Sequence, residues 1–382
     1  MKDLYNLLKD LKKNFFTKDY SLHKPYFDRG DENEVKKVVR SSWVSTKGFK
    51  TIEFEKKLKN YFNIKNTIAV NSGTSGLFLA LRSLGVNSLD EVIVPNLSFI
   101  ATGNVVYYCN ATPHLVDIGN NDLNICPKKL NIHLSRYTKI KNNICINKKT
   151  GKKISAIIAV HVFGHMCNMV ELKKISKKYK IPLIEDAAES LGSTFNGKKP
   201  GYYSDIAVLS FNGNKIVTAA AGGAVITKNT QIAKKIMSLA TINNKKKTLY
   251  QDHKALGYNM RMPSLNAALG ISQLKKINKQ IIKKRKLFKE YNNFFKDKRN
   301  GFFDIYKENK LQKSNYWLQV LLLNEKNRKN IIPMLKIFKR LNIATRTMWM
   351  PLSKISYFKD VPKSNLDNSL KIYKRVICIP SN

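Results

Sequence analysis

The sequence predicts an α/β protein built on a mostly parallel sheet buried on both faces, followed by a smaller α+β unit. Two observations carry this. Between about residue 65 and residue 227, short β-branched runs alternate with helix-like segments, and the runs are continuously apolar, as strands covered on both faces are. After about residue 250 that alternation gives way to a long polar helix with periodic apolar positions.

Seven runs are expected as strands: NTIAV (66–70), EVIVP (91–95), TPHLVD (112–117), AIIAVHVF (156–163), IPLIE (181–185), IAVLSF (206–211) and GAVIT (223–227). Helices are expected over Gly76–Leu84, Thr102–Cys109 and Met169–Lys180, and Cys145–Lys153 reads as an exposed basic turn inserted ahead of a strand. In the second unit, one helix over Ser264–Phe295 leads to NYWLQVLLL (315–323), a helix over Lys329–Leu341 and IATRTMWMP (343–351). The expected division is a basic N-terminal arm over 1–24, read as a solvated amphipathic extension, a large domain over 25–250 and a small domain over 251–382.

Composition excludes several classes. The chain has 382 residues, 43% of them hydrophobic, enough for a large core and a smaller one. No run approaches the roughly 18 consecutive apolar residues of a membrane span, and the first residues lack the apolar segment of a secretory signal. Five cysteines without a C-x-x-C pair argue against disulfide or metal scaffolding and fit a reducing cytoplasm. His161 and His165 have i, i+4 spacing but straddle VFG, a strand end and loop, so a zinc pair is not expected. The formal charge of +43 is spread along the whole chain rather than gathered in one stripe, which argues against nucleic acid. It would still attract a small dianionic ligand.

Three strand ends concentrate chemistry. In AVNSGTSGLFLAL a strand stops at Val70 and Thr74 and Ser75 open a helix, placing amides, hydroxyls and the positive end of a helix dipole around one point. That arrangement suits a phosphate or a simple helix cap. In IPLIEDAAES, Asp186 stands at the end of a buried strand, placed either to hold a protonated ring nitrogen or to cap the next helix. In VLSFNGNK another strand end delivers Ser210 and the solitary Lys215. A lysine amine, a carboxylate and a phosphate cradle on one sheet edge are the parts that hold pyridoxal 5'-phosphate (PLP): Schiff base, pyridinium partner and anchor.

The segments NSGTSGLFLAL, EVIVPNLSFIATGN, IEDAAESLGS, LSFNGNKIVTAAAGGAVIT and LGYNMRMPSLNAALG, in this order, resemble the DegT/DnrJ/EryC1/StrS aminotransferases over about His23 to Pro380. The resemblance implies the fold type I of PLP-dependent transferases, with a mostly parallel seven-stranded sheet in a large domain and an α+β small domain. It implies a cytoplasmic homodimer with an active site shared across chains, moving an amino group from L-glutamate to the 4-keto carbon of a nucleotide-linked 4-keto-6-deoxy sugar. SFNGNKI and LGYNMRMPSLNAALG resemble the branch that makes 4-amino-4,6-dideoxy-N-acetylhexosamines on routes to legionaminic acid or bacillosamine, with UDP-4-keto-6-deoxy-N-acetylglucosamine as the implied acceptor. The alternatives are a GDP-perosamine-type or other nucleotide-sugar aminotransferase, a pyridoxamine-phosphate-dependent sugar dehydratase, and a non-catalytic nucleic-acid-binding relative. The dehydratases replace the lysine by histidine, so Lys215 argues against them.

Residue by residue, the resemblance implies that Lys215 carries the Schiff base and then moves the proton, and that Asp186 pairs with the pyridine nitrogen. Thr74, Ser75 and Ser210 would hold the phosphate, and Asn259 would reach it from the partner chain. Phe99 occupies the position whose ring stacks on the cofactor, though it reads equally well as core. Glu189 falls near the cofactor's phenolic oxygen, where relatives often have Gln or His. Ser353 stands where many relatives have a sugar-side histidine, and Arg346 is a candidate for carboxylate or pyrophosphate binding, or a surface arginine.

Overall fold

The structure, a computed structural model, describes residues 2–16, 21–242, 253, 255–298 and 301–382. All seven apolar runs become strands of one sheet. In chain order its strands and their neighbours are β1 (Asn66–Val70), β2 (Asp90–Pro95), β3 (Thr112–Val116), β4 (Thr138–Lys141), β5 (Ile144–Asn147), β6 (Lys153–Val160), β7 (Leu183–Asp186), β8 (Thr194–Phe195), β9 (Ile206–Ser210) and β10 (Gly223–Thr227). The central order is β1-β10-β9-β7-β6-β2-β3. Every neighbouring pair from β9 to β3 is parallel, and only β10 runs against the rest.

Both faces are covered, as the continuous apolar runs require. On β2, Val92 and Val94 enter one core and Ile93 the other, all fully buried. The helices are α1 (Lys2–Phe15), α2 (Arg29–Arg40), α3 (Phe49–Phe62), α4 (Gly73–Ser83), α5 (Ile100–Tyr108), α6 (Pro127–Tyr137), α7 (Met169–Tyr179), α8 (Thr230–Ala240), α9 (Ser264–Lys275), α10 (Ile277–Asp297), α11 (Ile331–Arg340) and α12 (Asp367–Ile372). Leu77 and Leu81 of α4 pack on the first face, and Leu130 and Leu134 of α6 with Leu172 and Ile175 of α7 on the second.

After α10 come β11 (Phe303–Ile305), β12 (Gln312–Lys313), β13 (Gln319–Leu323), β14 (Arg346–Thr347) and β15 (Val376–Ile379), and an antiparallel sheet of order β11-β13-β15-β14 forms the second layer. The expected domain junction at 250/251 lies outside the described residues. Among the described residues no helix is long and apolar enough to cross a membrane.

Three local expectations are corrected. The N-terminal arm is an amphipathic helix, but it is not solvated: Leu4, Leu7, Leu8 and Leu11 of α1 are buried against Tyr291, Phe338 and Ile377. The single helix over Ser264–Phe295 divides at Lys276, whose amine bonds the carboxylates of Asp28 and Asp31 at 2.6 and 2.5 Å. The basic turn around Lys148–Lys152 is preceded by a hairpin, β4–β5, closed by Asn142 and Asn143 at φ +50° and +60°.

His161 and His165 flank a short turn and serve different networks. His161 accepts the Cys167 amide on Nδ1 at 3.2 Å, so Nε2 carries the proton that it donates to Glu185 at 2.8 Å. His165 lies between the Tyr306 and Tyr316 rings with neither ring nitrogen hydrogen-bonded, and burial pulls its pKa down to about 3. Its folded-state pKa is thus depressed below the unfolded value of 6.5, so the unfolded chain binds the extra proton and stability falls as pH drops below 6.5. His165→Phe removes that proton uptake. Relative to wild type, the variant should gain about 2 kcal/mol between pH 7 and pH 5 in denaturant titrations. An equal pH slope in both proteins would refute the assignment.

Candidate active site

The strand ends meet at one cavity. It has a volume of about 330 Å³ and lies along the carboxyl edge of the parallel strands, where open α/β sheets place their ligands. β1 leads to Ser72–Thr74, β2 leads to Phe99, and β9 leads on to Lys215, while Val160 of β6, Asp186 of β7 and Ser210 of β9 line the cavity from the strands themselves. Register holds these together: Val70 pairs with Gly223, Gly223 with Ser210, and Val160 with Asp186.

Close backbone approach sets the phosphate-like corner. A Cβ on Gly223 would lie 2.6 Å from the Ser72 carbonyl, and one on Gly73 would lie 3.0 Å from Ser210 Cβ. Small residues therefore let the N-terminus of α4 sit directly on β9 and β10. Ser72 caps α4, its hydroxyl accepting the Ser75 amide at 3.0 Å and meeting the Ser75 hydroxyl at 2.9 Å. Ser75 is thus occupied by the cap, while Ser72, Gly73, Thr74 and Ser210 line the cavity. First-turn amides of a helix lack intrahelical partners, and the dipole adds positive potential there.

On the opposite side the titratable groups gather. Lys215 Nζ donates to Glu189 Oε1 at 3.1 Å and lies 4.0 Å from the centroid of the Trp317 indole. Trp317 is fixed in turn, its Nε1 donating to the Asn214 carbonyl at 2.8 Å and its own carbonyl accepting from buried Lys284 at 3.1 Å. Burial drives the Glu189 carboxyl above its usual range, opposed by the Lys215 charge; its other oxygen accepts the Phe163 amide at 2.8 Å. Phe163 is a non-glycine residue at φ +55°, and its ring lies 5.0 Å from that of Trp349.

Asp186 is buried at the end of β7. Thr102 donates to its Oδ2 at 2.7 Å and the Ala188 amide to its Oδ1 at 3.3 Å. Burial raises its pKa, with those two hydrogen bonds and the Lys215 charge pulling the other way. A carboxylate in that state favours a cationic ligand that would restore its lost hydration. Phe99 is 51% exposed and edge-on to Trp349 at 5.9 Å, so the core reading fails and one face of a large ring is open to the cavity. A lysine amine, a carboxylate in need of a cation, a helix N-terminus and an open aromatic face fit an aromatic aldehyde phosphate such as PLP.

Arg346 also lines the cavity, so the surface-arginine reading fails. Asn259 does not line the cavity of its own chain; it is exposed, beside Asn71 and Thr241. Ser353 is placed by its amide, which donates to Asn96 Oδ1 at 2.8 Å, and its hydroxyl is buried without a partner. Sequence reasoning missed Ser72, Trp317 and Trp349. Ser72 was legible as the residue before a helix start; the tryptophans come from the second unit, 100 residues and more from Lys215, and nothing local marks them.

Fold and site together define an enzyme that works through a lysine amine and a carbonyl cofactor. Residues 25–382 match the DegT/DnrJ/EryC1/StrS aminotransferase family. The chain is 35% identical over 261 residues to GDP-perosamine synthase of Caulobacter vibrioides, covering 68% of this chain and 66% of that one. It is 32% identical over 355 residues to UDP-4-amino-4,6-dideoxy-N-acetyl-beta-L-altrosamine transaminase of Campylobacter jejuni, covering 92% and 90%. The solved structure of Helicobacter pylori PseC, an aminotransferase involved in pseudoaminic acid biosynthesis, superposes with a TM-score of 0.83 at 25% identity, over 95% of this chain and 94% of that one. This chain belongs to the DegT/DnrJ/EryC1/StrS aminotransferase family, and it is a PLP-dependent transaminase of fold type I.

Proposed function

We propose that this transaminase moves the amino group of L-glutamate to the 4-keto carbon of a nucleotide-linked 4-keto-6-deoxy sugar, UDP-4-keto-6-deoxy-N-acetylglucosamine being the acceptor, in surface polysaccharide or glycan biosynthesis. The observation that carries the reading is the Lys215–Glu189–Trp317 constellation facing Asp186 across one cavity. The UDP-linked amino sugar of the Campylobacter transaminase, matched over nearly the whole chain, supports a UDP-linked acceptor. The Caulobacter relative supports a GDP-linked one as the second reading.

In this reading PLP supplies an electron sink. Lys215 would anchor it and, when free, would hold or deliver a proton at its Nζ, with Glu189 keeping the amine in place. Asp186 would hold the protonated ring nitrogen, and Ser72, Thr74, Ser210 and the α4 amides the phosphate. Phe99 would cover the ring, and Arg346 would bind substrate. Residues 25–250 would form the cofactor-binding unit and 251–382 the smaller unit that completes the cavity. A homodimer supplies the remaining part: Tyr26, Phe27, Trp43, Phe49 and Ile52 leave apolar surface exposed, and Asn259 would serve the partner's site. A nucleotide-linked substrate puts the reaction in the cytoplasm.

The test is incubation with PLP, glutamate and UDP-, GDP- and dTDP-linked 4-keto-6-deoxy sugars, read by mass spectrometry. The UDP-linked N-acetyl sugar should gain the amine. Amination of the GDP sugar alone would move the acceptor to the perosamine type, and no aminated sugar would end the reading.

A further inference from the structure

A second cavity, of about 630 Å³, shares no lining residue with the active site. Glu91 and Thr112, near the amino ends of β2 and β3, line it, so it stands at the edge of the sheet opposite the Asp186 end. Its floor is a buried polar chain. Glu91 is fully buried and accepts from His114 Nδ1 at 2.7 Å, from Asn147 at 2.9 Å and from Thr150 at 2.5 Å. Burial opposes its ionisation, but these donors hold its carboxyl below the usual range, so Glu91 is a carboxylate and His114 Nδ1 carries the proton between them. His114 Nε2 faces His133 Nε2 at 2.7 Å, a contact that holds one proton. His133 is 7% exposed, and its Nδ1, bonded to no described residue, is the end of the chain at the cavity.

Two proton counts fit this chain. With His133 donating to a neutral His114, His133 Nδ1 is a bare acceptor. With one proton more, His114 is the cation, donating to Glu91 and to His133, and His133 stays neutral with its proton on Nδ1, a donor into the cavity. Burial and the neighbouring His114 pull the His133 pKa down to about 4, so the added proton belongs on His114, beside the carboxylate. The rim sets the sign of the ligand. Lys149 and Lys152 come from the turn after β5, and Lys359 and Lys363 from a segment held along β3 by backbone hydrogen bonds between Leu115 and Pro362 and Ser364. Lys152 is bonded to Thr112 and Lys363 to the Lys359 carbonyl, while the amines of Lys149 and Lys359 bond to no described residue. Against these four cations the lining sets Asp360 and the already satisfied Glu91. Burial pushes the Cys145 thiol up, so it brings no charge, and Tyr137 adds a ring 5.0 Å from that of His133.

We infer that this cavity is a second anion site, taking a phosphate group on His133 Nδ1 and the lysine rim with uptake of one proton by the Glu91–His114–His133 chain. The site is independent of the aminotransfer chemistry. Four lysines disfavour a metal cation. A phosphate group offers acceptor oxygens in several directions, so it meets a donor at the floor and amines at the rim together, which the two coplanar oxygens of a carboxylate do not. A bound anion favours the form with His133 Nδ1–H, so affinity rises as pH falls through the range in which an imidazole titrates.

The test is NMR of PLP-loaded protein labelled with nitrogen-15 at histidine, titrated with inorganic phosphate, with sulfate, which keeps its charge across neutral pH, and with UMP. Loading with PLP keeps the phosphate corner of the active site occupied. Phosphate and sulfate should convert one histidine nitrogen from bare to protonated, a signal absent in His133→Phe, and sulfate affinity should rise several-fold from about pH 8 to about pH 6. Lys149→Gln combined with Lys359→Gln leaves the buried chain in place; it should weaken phosphate binding roughly tenfold and leave keto-sugar amination unchanged. A histidine spectrum that ignores phosphate, phosphate affinity unchanged in the lysine variant, or sulfate affinity flat across pH would each overturn the inference. On the same signal, UMP binding no tighter than phosphate makes free phosphate the occupant, and tighter UMP binding that Tyr137→Ala weakens makes it a nucleotide.

Discussion

Lys215→Ala should yield a folded protein that no longer turns yellow with PLP and aminates keto sugar at least about a thousandfold more slowly. The size follows from losing two roles at one atom, anchor and proton carrier. Neighbouring amines cannot substitute. Lys284 is the nearest rival by burial, but its amine is spent on the Trp317 carbonyl and on Ser381. Removing Lys215 also leaves Glu189 buried without its cation, which pushes its carboxyl, already raised by burial, further up. Absorbance and mass-spectrometric turnover check both parts, and near-wild-type turnover would refute the assignment.

The second large effect is expected at Asp186→Asn. The amide keeps the shape and can still accept from Thr102, but it removes the charge that would keep a ring nitrogen protonated. The variant should take up PLP more weakly and lose about 10²- to 10⁴-fold in turnover. The wild-type carboxyl has a raised pKa, so it loses its charge on acidification before an ordinary aspartate would. Cofactor affinity should therefore fall with pH above the usual aspartate range, and that limb should vanish in Asp186→Asn. Binding titrations across pH check the sign; an identical acid limb in both proteins would count against the pairing.

Much of the fold was legible because both-face burial writes itself into β2, β6 and β9 as unbroken apolar runs. The hairpin β4–β5 was missed because its strands are only four residues each and β4 is mostly exposed, although Asn142–Asn143 between Lys141 and Ile144 is a two-residue turn signal. Nothing local marks the helix break at Lys276, whose amine is held by Asp28 and Asp31 from more than 200 residues away. For the same reason α1 read as a solvated arm: its leucine face needs Phe338 and Ile377, which only the folded chain brings to it. The site divides along the same line. Residues set by a strand end, such as Asp186 and Lys215, could be read locally. Trp317 and Trp349 owe their place to tertiary packing.

The most direct measurement is to mix the protein with PLP, reduce with borohydride, digest, and locate the bound cofactor by peptide mass. The account predicts a single modified peptide, with the cofactor on Lys215. A cofactor fixed to a different lysine, or spread over many in this lysine-rich chain, would contradict it.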